Sequence, residues 1–150
     1  MNKTFKINYL GDLRYFLGFE TTKSKKEIMI NQKKYALELL TDAGLLASKH
    51  AVTPMDNLVK LSSSERVSFT DVHAYRRLIG RLTYLTNTRL NITFSVHQLS
   101  QFLDKPIIAQ CNVAIRFLKY IKGAPSLGLF FSSSIFVHLK AFCDSDWGHL

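Results

Sequence analysis

Few residues of this chain have the type and spacing to do chemistry. The first to weigh are two carboxylates, Asp144 and Asp146, in the string AFCDSDW. Two residues apart on a strand, they share one face. Two-metal hydrolysis needs several carboxylates converging on ions ~4 Å apart. No other acid stands between Asp104 and Asp144, so the pair alone is a poor magnesium cage. The five histidines (His50, His73, His97, His138, His149) lack the i, i+4 ligand spacing of a metal-binding helix. No serine sits in a nucleophile-elbow context. Cys111 and Cys143 form no Cys-x-x-Cys, which argues against a zinc or redox site and for two reduced, buried thiols.

The basic residues say more. The chain carries a net charge of +9, and its excess cations lie mainly between residues 76 and 140. Arg76, Arg77, Arg81 and Arg89 fall in a stretch free of acid from 72 to 103. Lys105, Arg116, Lys119, Lys122 and Lys140 fall in another from 105 to 143. Arg77 and Arg81 are four apart and share a helix face. Arg116, Lys119 and Lys122 advance by three and stay on one side of theirs. Such faces suit phosphate groups, which need cations with little acid nearby and no base-specific contact. Charge alone does not separate nucleic acid from an anionic membrane, and a solvated basic face is the alternative.

The elements that must carry these side chains follow from periodicity. Residues 5–31 read as strands, with Tyr15, Leu17 and Phe19 on one face, a polar turn at 21–27 and a return strand at 28–30. A helix follows, capped by Asn31 and closed by Gly44. Residues 46–70, with Pro54 and three serines, read as a crossing loop. Asp71 caps a helix whose stripe is Tyr75, Leu78, Ile79, Leu82 and Leu85. Gly80 inside it suggests close helix packing. A second helix is expected from Asn91 to Leu103, with Ile92, Val96, Leu99 and Leu103 inward. A third runs from Ile108 to Lys122, with Ala114, Phe117, Leu118 and Ile121 inward and Gly123 at its end. Strands at 127–132 and 136–143 should pair as a hairpin. The fold class is α+β: an N-terminal β-hairpin, a helical middle and a C-terminal β-hairpin. At 150 residues this is about one domain. No apolar run is long enough to span a membrane, and MNKTFKINYL lacks the apolar core of a signal peptide.

Seven strings carry a resemblance: LGDLRYFLGFE (Leu10 to Glu20), NQKKYALELL, VTPMD, YRRLIGRLTYLTNTR, QLSQFL, RFLKYIKGAPSLGLFFS and AFCDSDW. In that order they resemble the back half of a reverse transcriptase from a copia-type retrotransposon Pol polyprotein. The resemblance implies three parts. Residues 1–31 would end the palm with a primer-grip-like hairpin, 32–125 would form the thumb and connection, and 126–150 would begin an RNase H domain. It implies that Phe16, Leu17 and Gly18 lie against the primer backbone, with Gly18 allowing close approach within a strand. It implies that Arg76, Arg77, Arg81, Arg89, Arg116, Lys119 and Lys122 clasp a template–primer duplex, and that Asp144 is the first RNase H metal ligand.

In that family the polymerase's Asp-Asp pair precedes this region, and no Asp-Asp occurs in these 150 residues. The expectation is therefore a truncated segment of an RNA-directed DNA polymerase with RNase H. It would be inactive alone and need no cofactor, although the parent enzyme needs Mg2+. It would bind nucleic acid non-specifically, avoid membranes and self-associate through its C-terminal strands. The expected location is intracellular, cytoplasmic or nuclear, with an organelle left open. The alternatives are a nucleic-acid-binding module retained by the host and an inert relic. The chain departs from the family pattern at Leu90 and Asn91 (usually Pro-Asp), at Gln110 (usually His), and at Ser145 and Gly148.

Overall fold

In the computed structural model the described residues are 11, 13–54, 67–132 and 134. They form β1 (Tyr15–Phe16), β2 (Phe19–Lys23), β3 (Glu27–Asn31), α1 (Lys33–Asp42), α2 (Val72–Leu85), a 3₁₀ turn (Leu90–Ile92), α3 (Thr93–Ser100), α4 (Ile108–Gly123) and β4 (Leu129–Ser132). The fold is mixed, with one four-stranded antiparallel sheet in the order β1-β2-β3-β4. No helix among the described residues is long and apolar enough to cross a membrane.

The first hairpin is tighter than its sequence suggests. Leu17 and Gly18 both take positive φ (48° and 78°), and Phe16 pairs with Phe19 across them. Positive φ at both central residues is the two-residue turn that matches strand twist. The continuous strand expected through RYFLGFE is therefore broken. Leu17 and Gly18 are its turn, and Gly18 supplies backbone freedom rather than close approach within a strand. The next turn is tied by Ser24, whose Oγ accepts from the amides of Lys26 (3.2 Å) and Glu27 (3.1 Å).

β4 is the first strand of the expected C-terminal hairpin. It forms where LGLFF was read as a strand, and among the described residues it pairs with β3, with Ile28 opposite Phe131 and Ile30 opposite Leu129. The second strand of that hairpin, 136–143, lies outside the described residues. Gly128 makes the approach possible. A Cβ there would strike the Ile30 carbonyl oxygen and sit 2.7 Å from Asn31 Cβ.

Each helix has identifiable ends. Asn31 does not cap α1 as expected. It closes β3, and its Oδ1 accepts from the Lys33 amide (3.0 Å), while Gln32 holds the cap position. At the other end Gly44 (φ 66°) completes a Schellman turn: its amide bonds the Thr41 carbonyl (2.9 Å) and the Leu45 amide bonds that of Leu40 (2.8 Å). Asp71 caps α2 as expected, accepting from the Ala74 amide at 2.8 Å. Gly80 is exposed, and a Cβ added there would have nothing within 4 Å beyond its own turn of helix, so among the described residues it serves no helix packing. The second expected helix divides into the 3₁₀ turn and α3, and ends at Ser100. Asn91 leaves α3 uncapped and instead donates to the Tyr120 hydroxyl (3.0 Å). Gln110 is buried in the first turn of α4, where its Oε1 accepts from the Ile107 amide at 2.9 Å.

The core is helical. Ala36, Leu39 and Leu40 meet Tyr75, Ile79, Leu82 and Leu85, and both sets meet Ile92, Val96 and Leu99 and the α4 face of Val113, Ala114, Phe117, Leu118 and Ile121. Every inward residue expected of α4 is buried there.

Candidate nucleic-acid interface

Phe16, Leu17 and Gly18 sit at the tip of the β1–β2 hairpin. Phe16 and Leu17 are largely exposed. The tip is held from α2: Tyr84 donates its hydroxyl proton to the Leu17 carbonyl, and its ring lies 3.6 Å from where a Gly18 Cβ would sit. Tyr84 also stacks obliquely on Phe19 (5.8 Å between centroids) and edge-on to Tyr35 (5.2 Å). Below the tip lies an apolar cleft of about 450 Å³, bounded by Leu13, Phe16, Leu17, Phe19, Ile30 and Leu129 with Tyr84. β2 is joined to α1 through Glu20, whose Oε1 accepts from the Lys34 amide (2.7 Å) in the first helical turn, where a carboxylate meets the positive helix end.

The α2 cations have three different fates. Arg81 pairs with Asp42 at 2.6 Å, lies over the Tyr35 ring (5.7 Å), and accepts the Tyr35 hydroxyl on its own carbonyl (3.2 Å). Burial opposes the charge of its guanidinium, but the hydrogen bonds of Asp42 and Tyr35 outweigh burial and raise its pKa. Arg76 binds the Leu103 carbonyl (2.8 Å) and Asp104 (3.2 Å). Arg77 is exposed and makes no ion pair among the described residues. It borders a groove of about 420 Å³ between α1 and α2, together with Arg81 and Asp42.

On α4, Arg116 donates to Thr53 Oγ1 (3.1 Å), Lys122 donates to the Ser48 carbonyl, and the Lys119 carbonyl accepts from the Ala51 amide (3.1 Å). The basic side of α4 thus carries the segment 48–53. None of these three cations has an acidic partner among the described residues. Arg89 stands apart from the surface set. It is 2% exposed, and its Nη1 donates to the Ala124 carbonyl. It joins the end of α2 to the end of α4 and lies apart from the exposed cations of the two helix faces.

Of the expected contacts, Arg77 and Arg81 share one groove, and Arg116, Lys119 and Lys122 share one helix side. No hydrogen bond or ion pair among the described residues links the two sets. Asp144, with Asp146, lies outside the described residues, and no metal-binding cluster occurs among those described. Sequence reading passed over Tyr84 and Tyr120, and weighed His50 only as a metal ligand. Tyr84 had a signal: at 77, 81 and 84 it lies on the same α2 face as the two arginines.

Known proteins match nearly the whole chain. An uncharacterized mitochondrial protein of Arabidopsis thaliana is 34% identical over 148 residues, which are 98% of this chain and 61% of that protein. The retrovirus-related Pol polyprotein from transposon RE2 of the same plant is 32% identical over 147 residues, 98% of this chain and 10% of the polyprotein. The corresponding polyprotein from transposon TNT 1-94 of Nicotiana tabacum is 26% identical over 156 aligned positions, 97% and 12% of the two chains. The chain therefore spans about three fifths of the first relative and about a tenth of the polyproteins. No protein-family model matches. No solved structure matches.

Proposed function

We propose that this chain, a homologue of copia-type retrotransposon Pol polyproteins, is a part of a reverse transcriptase that holds a template–primer duplex by its backbone without reading sequence. The observation that carries this is the set of cations left without acidic partners. Among the described residues, ion pairs occupy Arg76 and Arg81, while Arg77, Arg116, Lys119 and Lys122 keep their charge free of carboxylates. Phosphate contacts of this kind release counterions and give affinity that is sequence-blind and steeply salt-dependent. The hairpin tip supports the same reading: a short, pinned turn with an exposed Phe16 and Leu17 can lie along a sugar–phosphate edge.

The polymerase chemistry of the parent is absent from this reading, because the 150 residues contain no Asp-Asp pair. With primed template, Mg2+ and nucleotides, the chain alone should extend no primer.

Fluorescence anisotropy on duplexes of unrelated sequence tests the clasp. Equal affinities that fall linearly on a log–log salt plot are expected, with slope ~0.9 per neutralised phosphate. Replacing Arg77, Arg116, Lys119 and Lys122 together by Glu should abolish binding to all sequences alike. A flat salt response, or an unchanged variant, would overturn the reading.

A further inference from the structure

We infer that a second, more enclosed site on this chain binds a single phosphate group, with Arg89 as its principal ligand. A guanidinium stays charged in proteins and carries five donors. Arg89 uses one of them, on the Ala124 carbonyl, and its buried Nε has no partner among the described residues. No carboxylate among the described residues pairs with it. A buried cation left unpaired is costly, and an anion bound beside it removes that cost.

The space for that anion exists. Arg89 lines a cleft of about 260 Å³ with His50, Val52, Tyr120 and Gly123. The Tyr120 oxygen accepts from Asn91 Nδ2 (3.0 Å), which leaves the phenolic proton to donate. His50 packs over Gly123 at the rim, its Cδ2 3.6 Å from where a Cβ at 123 would lie. The three described stretches that build the cleft, 43–54, 72–103 and 105–132, contain no Asp or Glu. Donors from three separate elements suit a tetrahedral oxyanion better than a planar carboxylate, which the arginine fork alone would satisfy. The phosphate could be free or belong to a nucleic-acid strand, since the donors see only the oxyanion.

The test uses the full chain and inorganic phosphate at constant ionic strength, against chloride and acetate. Phosphate should raise the melting temperature saturably and broaden the 31P resonance, and the other two anions should do neither. Tyr120→Phe and His50→Ala each remove one donor to a charged group and should weaken binding ~tenfold. Arg89→Gln should abolish it, and the two rim variants keep the test decisive where that buried change costs the fold.

A 5′-phosphorylated dinucleotide that competes with phosphate would assign the site to nucleic-acid ends. Phosphate binding without such competition would assign it to the free ion. No saturable phosphate effect, an equal acetate effect, or unchanged affinity in both rim variants would overturn the proposal. None of these substitutions touches Arg77, Arg116, Lys119 or Lys122, so either reading can fail without the other.

Discussion

The helices and the sheet of this protein are stabilised by different means. The fifteen buried side chains of the hydrophobic core all belong to the four helices and the 3₁₀ turn, and the strands contribute none. What the sheet has instead is its hydrogen-bond ladder, the Tyr84 bond to the Leu17 turn, the Glu20 bond to α1 and the close backbone approach at Gly128. A packed interior resists loss of volume, whereas a half-covered sheet depends on a few geometric contacts. The helical part supplies the stability, and it positions the exposed hairpin tip through one tyrosine.

The contrast is sharpest for two phenylalanines. Phe117 is fully buried on α4, and Phe130 on β4 is 61% exposed. Phe117→Ala should lower unfolding free energy by ~3–5 kcal/mol in urea titrations. Phe130→Ala should change it by less than ~0.5 kcal/mol. Equal losses would mean that the exposed face of β4 is covered in solution, and the contrast would break. Next in size is Gly128→Ala. The added methyl must displace the Ile30–Asn31 backbone, at ~1–3 kcal/mol by analogy with overpacking. Hydrogen exchange should show faster amides in β3 and β4, with α4 unchanged. Deleting residues 127–150 should do the same more severely, because it removes the partner of β3.

The same division explains what the sequence made legible. The α2 and α4 stripes repeat at three and four residues, and the cap at Asp71 and the Gly44 turn are local chemistry, so their places could be read directly. The β3–β4 pairing joins residues about a hundred positions apart, and no local pattern reports it. LGLFF reads as a strand but does not name its partner. The candidate site was legible as charge and not as geometry. Sequence placed Arg76, Arg77, Arg81 and Arg89 in one acid-free run, but only the fold shows two of them in ion pairs and one buried. Spacing along a helix reveals a shared face, not which neighbour covers that face.

A pH titration separates the two regions again, because a strongly shifted group lies in the helical core. The Tyr75 hydroxyl donates to the Leu99 carbonyl at 2.9 Å and is buried between α2 and α3. Burial, and then the nearby Cys111 thiol, push its pKa up to about 12 from 10. Between those values the unfolded chain loses the proton and the native chain keeps it. Stability is therefore intact below pH 10 and falls as pH rises, by about 1 kcal/mol per unit. Burial also raises the Cys111 thiol, which adds a loss of the same sign beginning at lower pH. Tyr75→Phe should cost about 1 kcal/mol at neutral pH through the orphaned carbonyl, yet flatten the slope above pH 10. An unchanged slope in Tyr75→Phe, with a flattened one in Cys111→Ala, would assign the effect to the thiol.

The smallest expected effect has the opposite sign. Gly80 lies in the middle of α2, exposed, and among the described residues no atom beyond its own turn of helix stands within 4 Å of the position a Cβ would take. Its φ is not among the positive values, so an L side chain fits the backbone as it stands. Glycine in a helix interior gives up more conformational entropy on folding than alanine does. Gly80→Ala should therefore stabilise the protein by ~0.5–1 kcal/mol, chiefly by narrowing the unfolded ensemble. The gain should appear as a higher urea midpoint at unchanged slope, with duplex affinity untouched. A loss of stability would mean that another surface approaches α2 closely at this point, as the sequence had suggested. Such a surface would lie on the turn between Arg77 and Arg81, and the α2 groove would then be a packed contact rather than an open basic face.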